Sequence, residues 1–280
     1  MQTKTIGIVG LGLMGGSLSL ALKQTPNDFY FIGLDHNDVH CEQALSLGLV
    51  DELVDTLDEI KSCDVIFLSI PVDGIIAVAQ QLHSLNPYCT VIDLGSTKEK
   101  ISLSIPKDIR SNFVTAHPMT GTEKFGPTAA VSHLYKGQTV VLCNMELSGK
   151  HQQDTAKKLF ENLGMILVYM DAKEHDRHAA FISHMPHAIS YALANSVMKQ
   201  EDSENIVALA AGGFKDMSRI AKSSPDMWED IFRQNQKNLL EAIYSFENEL
   251  KKCRHMVENE EWHTLNAWME DANTLHDILD

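Results

Sequence analysis

The sequence predicts an α/β chain in two parts: a doubly wound parallel sheet over residues 1–171, then an all-helical part over 172–280. Three observations predict it. Short β-branched runs alternate with helical stretches from Lys4 to Met170, the order expected of strands joined by crossover helices. Strand signals then stop after Asp171, and helical pattern continues almost to the end. A length of 280 residues also suits two domains better than one core.

The predicted strands are 5–9, 30–34, 65–70, 90–94, 113–116, 139–143 and 166–169. Val65-Ile66-Phe67-Leu68 is continuously apolar rather than alternating, as in a strand covered by helices on both faces. In the helical part the breaks are Gly212-Gly213 and Ser223-Ser224-Pro225. Ser224 reads as an N-cap, Pro225 as the first helical residue and Asp226 as the first-turn acid, so one helix is expected through Trp228 towards Arg254. A helix that long seldom buries its apolar stripe alone, and a homodimer formed through the helical domain is the expected outcome.

Composition removes several classes. Hydrophobic residues at 44% and charged residues at 22% are ordinary for a folded globular chain. The net charge of -15, with Lys and Arg scattered, argues against nucleic acid as a partner. It also means that an anionic substrate needs a locally basic pocket. Five cysteines with no Cys-x-x-Cys read as reduced thiols. No apolar run reaches the roughly 18 residues of a membrane span, and a strand at the start leaves no room for a signal peptide. No membrane partner and a cytoplasmic location are expected.

The first strand runs into Gly10-Leu11-Gly12-Leu13-Met14-Gly15, and a helix-compatible stretch follows over 16–23. This Gly-x-Gly-x-x-Gly in a strand–turn–helix setting is the Rossmann-type dinucleotide fingerprint: Gly10 for the tight turn, Gly12 for approach to a pyrophosphate, Gly15 for helix-to-strand packing. The pyrophosphate would sit at the helix N-terminus. Asp35, 25 residues past Gly10 at the end of the second predicted strand, would accept from a ribose 2′-hydroxyl and repel a 2′-phosphate, so NAD is expected over NADP.

Ligands of an open α/β sheet lie beyond the carboxyl ends of its strands, which draws attention to Ser69 and Pro71, to Ser96, and to His117-Pro118-Met119-Thr120-Gly121-Thr122-Glu123. Ser69 and Pro71 are assigned to the cofactor side. His117 is the one side chain among them that titrates near neutrality, as a proton acceptor from a substrate hydroxyl should; a hydrogen-bonded structural histidine is the alternative. Ser96 can hold the imidazole or the hydroxyl, or simply cap a helix. Ser183, His187 and Tyr191 recur every four residues and share a helix face kinked by Pro186. His175, His178, His184 and His187 also admit a metal reading, but no His-Glu-x-x-His is present and no metal is expected. Asp216 and Arg219 lie one turn apart; either they form a surface pair, or Asp216 orients Arg219 to grip a carboxylate.

Together, His117 to Glu123, Ser183-His184-Met185-Pro186-His187 and Gly213-Phe214-Lys215-Asp216-Met217-Ser218-Arg219-Ile220-Ala221 resemble the prephenate and arogenate dehydrogenases. The resemblance implies His117 as the catalytic histidine with Ser96 as its partner at the substrate hydroxyl. It implies a substrate pocket of Ser96, Thr122, Glu123, Ser183, His187 and Arg219, with Trp228 nearby. The implied reaction is NAD-dependent oxidative decarboxylation of prephenate to 4-hydroxyphenylpyruvate in tyrosine biosynthesis. Arogenate is the alternative substrate, and His187 looks like the prephenate-type residue. The length leaves no room for a fused chorismate mutase or ACT domain, so tyrosine inhibition, where it occurs, is expected at the active site. Two rivals remain at this stage: a β-hydroxyacid-type dehydrogenase, whose lysine motif is not found after Asp171, and a non-enzymatic NAD-binding regulator, which needs no proton acceptor.

Overall fold

The structure, a computed structural model, describes residues 3–200 and 202–279. The nucleotide-type half opens with β1 (Lys4–Val9), α1 (Leu13–Lys23), β2 (Phe29–Leu34), α2 (Asp38–Ser46), β3 (Glu52–Leu53) and α3 (Leu57–Ile60). It continues with β4 (Val65–Leu68), α4 (Val72–Ala79), β5 (Thr90–Asp93), α5 (Glu99–Ser104) and β6 (Phe113–Pro118). Then come β7 (Thr139–Cys143), α6 (Lys150–Asn162) and β8 (Ile166–Met170).

Among the described residues these strands form one sheet in the order β3-β2-β1-β4-β5-β6-β7-β8. The chain reverses direction across the sheet between β1 and β4, and the glycine turn leaves β1 at that point. All four residues of β4 are buried because they feed two cores: Val65 and Phe67 pack on one face of the sheet, Ile66 and Leu68 on the other. Each such side chain contributes about 1.5–3 kcal/mol of burial.

Two features depart from the expected all-parallel, helix-connected sheet. β7 runs antiparallel to β6, pairing His117 with Val141, and a loop over 119–138 with one 3-10 turn, Pro127–Ala129, takes the place of a crossover helix. A reversed strand needs no crossover, since the chain returns from the same edge at which it left. β3 is two residues long, too short to leave a periodic signal.

After β8 the described structure is helical: α7 (Ala172–Ala179), a π turn (Ala180–His184), α8 (Met185–Met198), α9 (Ser203–Ala208), α10 (Gly212–Ser218), a 3-10 turn (Arg219–Lys222) and α11 (Pro225–Gln234). Pro186 has no N–H to donate, and its ring crowds the carbonyl four residues back. The wide π turn just before it absorbs that misfit, a device frequent near functional sites. Ser224 caps α11, accepting from Met227 N. The expected single helix towards Arg254 is interrupted, however: Asn235 leaves helical geometry at φ -114 and ψ 30. Its buried amide instead donates to Asp176 O at 2.6 Å and lies 3.1 Å from His184 Nδ1.

Packing divides the chain into two compact units, up to Asn235 and from Gln236 onward. The strands end earlier, at Met170, so the change of secondary structure near residue 171 and the division of contacts fall at different places. The second unit holds α12 (Gln236–Glu258), α13 (Trp262–Asn273) and α14 (His276–Leu279). α12 and α13 form a hairpin in which Trp268 Nε1 donates to Glu249 Oε2 at 3.0 Å. Tyr244, Leu250, Trp262 and Met269 of this hairpin are exposed. Among the described residues no helix is long and apolar enough to cross a membrane.

Candidate active site

The turn after β1 has the shape required for a nucleotide. Gly10 has φ +95, and a Cβ there would lie 2.5 Å from Ser69 O. A Cβ on Gly15 would stand 2.1 Å from Gly10 O; both are backbone contacts that cannot move aside. Gly12, by contrast, has nothing within 4 Å of its would-be Cβ. It begins α1 with no side-chain cap and no acid in the first turn, and the first helical bond is Gly16 N to Gly12 O. The N–H groups of Leu13, Met14 and Gly15 therefore have no helical partner at the positive end of a helix, a cradle that fits a pyrophosphate.

Asp35, just past β2, ties this turn down: Oδ2 accepts from Leu11 N at 2.8 Å and Oδ1 from Asn37 N at 3.0 Å. It lines a cavity of about 480 Å³ together with Asp38, Glu42 and Asp55. Four carboxylates around one cavity suit a ribose diol and repel a 2′-phosphate. Ser69 Oγ donates to Gly10 O at 2.6 Å, so this hydroxyl is spent on holding the glycine turn. Pro71 precedes the first residue of α4.

His117 is buried near the end of β6, with 9% of its surface exposed. Its Nδ1 lies 2.8 Å from His175 Nε2, and His175 Nδ1 lies 2.8 Å from Asp176 Oδ1. Asp176 also accepts from Lys98 N at 2.7 Å and Glu99 N at 2.9 Å, where α5 begins. His117 Nε2 makes no hydrogen bond among the described residues. Burial, and secondarily the neighbouring His175 and Lys98, hold this imidazole well below the ordinary histidine value, so it is neutral at pH 7.

The backbone just before His117 is clamped. Ala116 N donates to Asp93 Oδ1 at 3.1 Å, and Lys98 Nζ donates to Ala116 O at 2.7 Å while pairing with Asp93. Lys98 and Asp93 are both fully buried; removing either member of such a pair costs about 3–5 kcal/mol. Ser96 lies three residues past the end of β5, is half-buried and has no hydrogen-bond partner among the described residues. The partner holding the imidazole is therefore His175, not Ser96.

On the helical side, His187 Nδ1 donates to Ser183 O at 2.9 Å. A carbonyl can only accept, so Nε2 carries the lone pair. The ring lies on the Trp228 indole, whose buried Nε1 has no partner among the described residues. Burial, and then Arg219, lower the His187 imidazole from its ordinary value. Tyr191 donates to Ser223 O at 2.9 Å, so this member of the four-residue repeat braces the helices.

Arg219 pairs with Glu123 at 3.7 Å, and this contact, not one to Asp216, orients the guanidinium. It brings the loop after β6 against the turn after α10. Arg219 is 60% exposed, and a pair that open is worth at most about 1 kcal/mol, so Arg219 can exchange Glu123 for another carboxylate. Thr122 Oγ1 accepts Lys124 N at 3.2 Å within the same loop. Among the described residues no cluster of three His, Cys, Asp or Glu side chains suits a metal ion. His184, one of the histidines weighed for metal, packs edge-on against Trp228.

Sequence reasoning missed His175 and Asp176 as partners of His117, and Lys98 with Asp93 beneath it. These contacts span 58 residues from His117 to His175 and 78 from Lys98 to Asp176, so no local spacing announces them. The one local signal is Asp171, whose side chain caps α7 and thereby sets His175 and Asp176 one turn into a helix starting at a strand end.

Comparison with known proteins spans nearly the whole chain. Residues 18–169 match the family described as prephenate dehydrogenase, nucleotide-binding domain, and residues 171–271 match prephenate dehydrogenase, dimerization domain. The prephenate dehydrogenase of Bacillus subtilis is 33% identical over 286 residues, covering 98% of this chain and 76% of that protein. The crystal structure of prephenate dehydrogenase from Aquifex aeolicus with hydroxyphenyl propionate and NAD+ superposes with a TM-score of 0.92 at 31% identity, covering 100% and 99% of the two chains. Arogenate dehydrogenase from Synechocystis gives a TM-score of 0.81 at 28% identity, covering 99% and 100%.

Proposed function

This chain belongs to the prephenate dehydrogenase family, and we propose from that premise that it catalyses the NAD-dependent oxidative decarboxylation of prephenate to 4-hydroxyphenylpyruvate, a step of tyrosine biosynthesis. The observation that carries this reading is His117: a buried, neutral imidazole at a strand tip with one ring nitrogen unspent. Bound NAD+ supplies the hydride acceptor.

The chain's own residues perform the remaining tasks. The Leu13, Met14 and Gly15 amides and Asp35 hold the dinucleotide. His117 Nε2 takes the proton of the ring hydroxyl: the O–H bond breaks as the N–H bond forms, while C4 gives up hydride; C1 releases carbon dioxide, the electron pair left behind makes the ring a phenolate, and that oxygen takes the proton back from His117. Ser96 Oγ, uncommitted in the protein, holds that hydroxyl. Arg219 leaves Glu123 to grip a substrate carboxylate, while Thr122, Glu123, Ser183 and His187 shape the pocket. Aromatisation supplies the driving force, so alignment and proton acceptance are what the protein must add.

Residues 1–171 serve the dinucleotide and 172–280 serve substrate and dimerisation. The exposed apolar side chains of the α12–α13 hairpin support a homodimer as the working form. Tyrosine competes at the same site, its phenol reaching His187 Nε2. The enzyme works in the cytoplasm.

The test is direct. Purified protein mixed with prephenate and NAD+ should develop the absorbance band of NADH, faster than with arogenate. A flat trace with both substrates overturns the reading; a faster trace with arogenate transfers it to that substrate.

A further inference from the structure

We propose that His175 and Asp176 form a positioning dyad that fixes which nitrogen of His117 carries the proton and spreads the charge His117 acquires during turnover. The proposal rests on His117 being the proton acceptor, and it adds two residues to the machinery.

A chain of hydrogen bonds runs from the Asp176 carboxylate to His117. Asp176 accepts at both oxygens, from Lys98 N and Glu99 N, and offers Oδ1 to His175 Nδ1 at 2.8 Å. A carboxylate only accepts, so the proton of this contact belongs to His175 Nδ1. The dyad so defined leaves the lone pair of His175 at Nε2. That lone pair faces His117 Nδ1 at 2.8 Å, which must then be the protonated nitrogen of a neutral His117. His117 Nε2 is left bare, as a general base requires. The opposite tautomer would set an N–H against the substrate hydroxyl and stop the reaction at its first proton transfer.

The same chain answers for charge. When His117 Nε2 takes the hydroxyl proton, the new imidazolium is buried and costly. Its Nδ1–H already points at His175 Nε2, so the proton can move toward His175 while His175 Nδ1–H leans on the Asp176 carboxylate. No atom is added or lost: the N–H bond at His117 Nδ1 lengthens as one at His175 Nε2 forms. His175 and Asp176 are 2% and 3% exposed, so water does not compete for these contacts.

The experiment uses histidine-selective 15N labelling of the full chain, with the His117 signals identified as those missing from His117→Asn. In the unsubstituted protein at neutral pH, His117 should show a protonated Nδ1 and a bare Nε2. In His175→Leu the single tautomer should be lost, and kcat should fall by about ten- to a hundredfold, less than on losing the base itself. The KM for NAD+ should hold. His175→Gln offers an amide oxygen to His117 Nδ1 and should restore the tautomer and part of kcat; it also keeps the test alive should His175→Leu not fold. A protonated Nε2 in the unsubstituted protein, or an unchanged tautomer and kcat in His175→Leu, overturns the proposal. Near-normal turnover of His117→Asn, with the expected tautomer in place, would instead remove His117 as acceptor and leave the hydrogen-bond chain standing.

Discussion

The His187 imidazole lies flat against the Trp228 indole, with ring centroids 3.5 Å apart and planes 22° from parallel. The two rings join α8 to α11, and the bond from His187 Nδ1 to Ser183 O fixes the imidazole's second axis. A side chain held on its face and at one nitrogen can present the other nitrogen in a single direction, which is what discrimination among ring substrates needs.

Trp228 is 6% exposed, so Trp228→Ala should cost about 3–5 kcal/mol of stability. Trp228→Phe, which keeps a stacking face, should cost much less. Urea unfolding of the two variants checks this; equal midpoints for Trp228→Ala and the unsubstituted chain would mean the stack does not support the fold.

Arg219 is loosely held by Glu123 and is the cation assigned to a substrate carboxylate. Arg219→Ala should raise the KM for prephenate by about ten- to a hundredfold, the worth of a charged hydrogen bond, with NAD+ affinity unchanged. Steady-state kinetics in each substrate separate the two effects. An unaltered KM would return Arg219 to a purely structural place on the surface.

Asp35 both anchors Leu11 N and faces the acid-lined cavity. In Asp35→Ser the KM for NAD+ should rise and the disadvantage of NADP+ should shrink, because one of four carboxylates opposing a 2′-phosphate is gone. The ratio of kcat/KM for the two cofactors measures it, and a ratio that stays put would place the ribose elsewhere.

Burial pushes His184 down to about 4 from an ordinary value of 6.5, and pushes His117 down as well. The unfolded chain therefore binds protons that the folded chain refuses once pH drops below 6.5. Stability tied to these groups is complete above that value and declines as pH falls toward 4, with His184 alone withdrawing about 3 kcal/mol. Unfolding midpoints from neutral pH to about pH 4 should fall steadily. The same depression keeps the base unprotonated, so kcat/KM should hold down to pH 6.5 and decline only below it; an acid limb above 6.5 would point to a different base.

The legible parts of this molecule are the ones whose physics is local. The glycine turn and the Ser224 cap each concern residues within one or two turns of chain, Asp35 follows the glycines at the spacing one strand–helix–strand unit sets, and the continuous apolar run of β4 shows in its composition. The reversal of β7 left no mark, because a strand's pattern records which faces are covered and not which way it runs. Asn235 likewise carries no mark in the sequence that sets it apart from other helical polar residues; its bonds to Asp176 and toward His184 form where the helix stops. His117 was visible as a titrating side chain at a strand tip. The residues that orient it were not, since they come from a helix 58 positions further on.

We propose that one imidazole, held at Nδ1 and bare at Nε2, accepts the substrate proton. Turnover of prephenate by His117→Asn, measured beside NAD+ affinity, tests it most directly. The account expects turnover to fall by about a hundred- to ten-thousandfold while NAD+ binds as before. Turnover within a fewfold of the unsubstituted protein would contradict it.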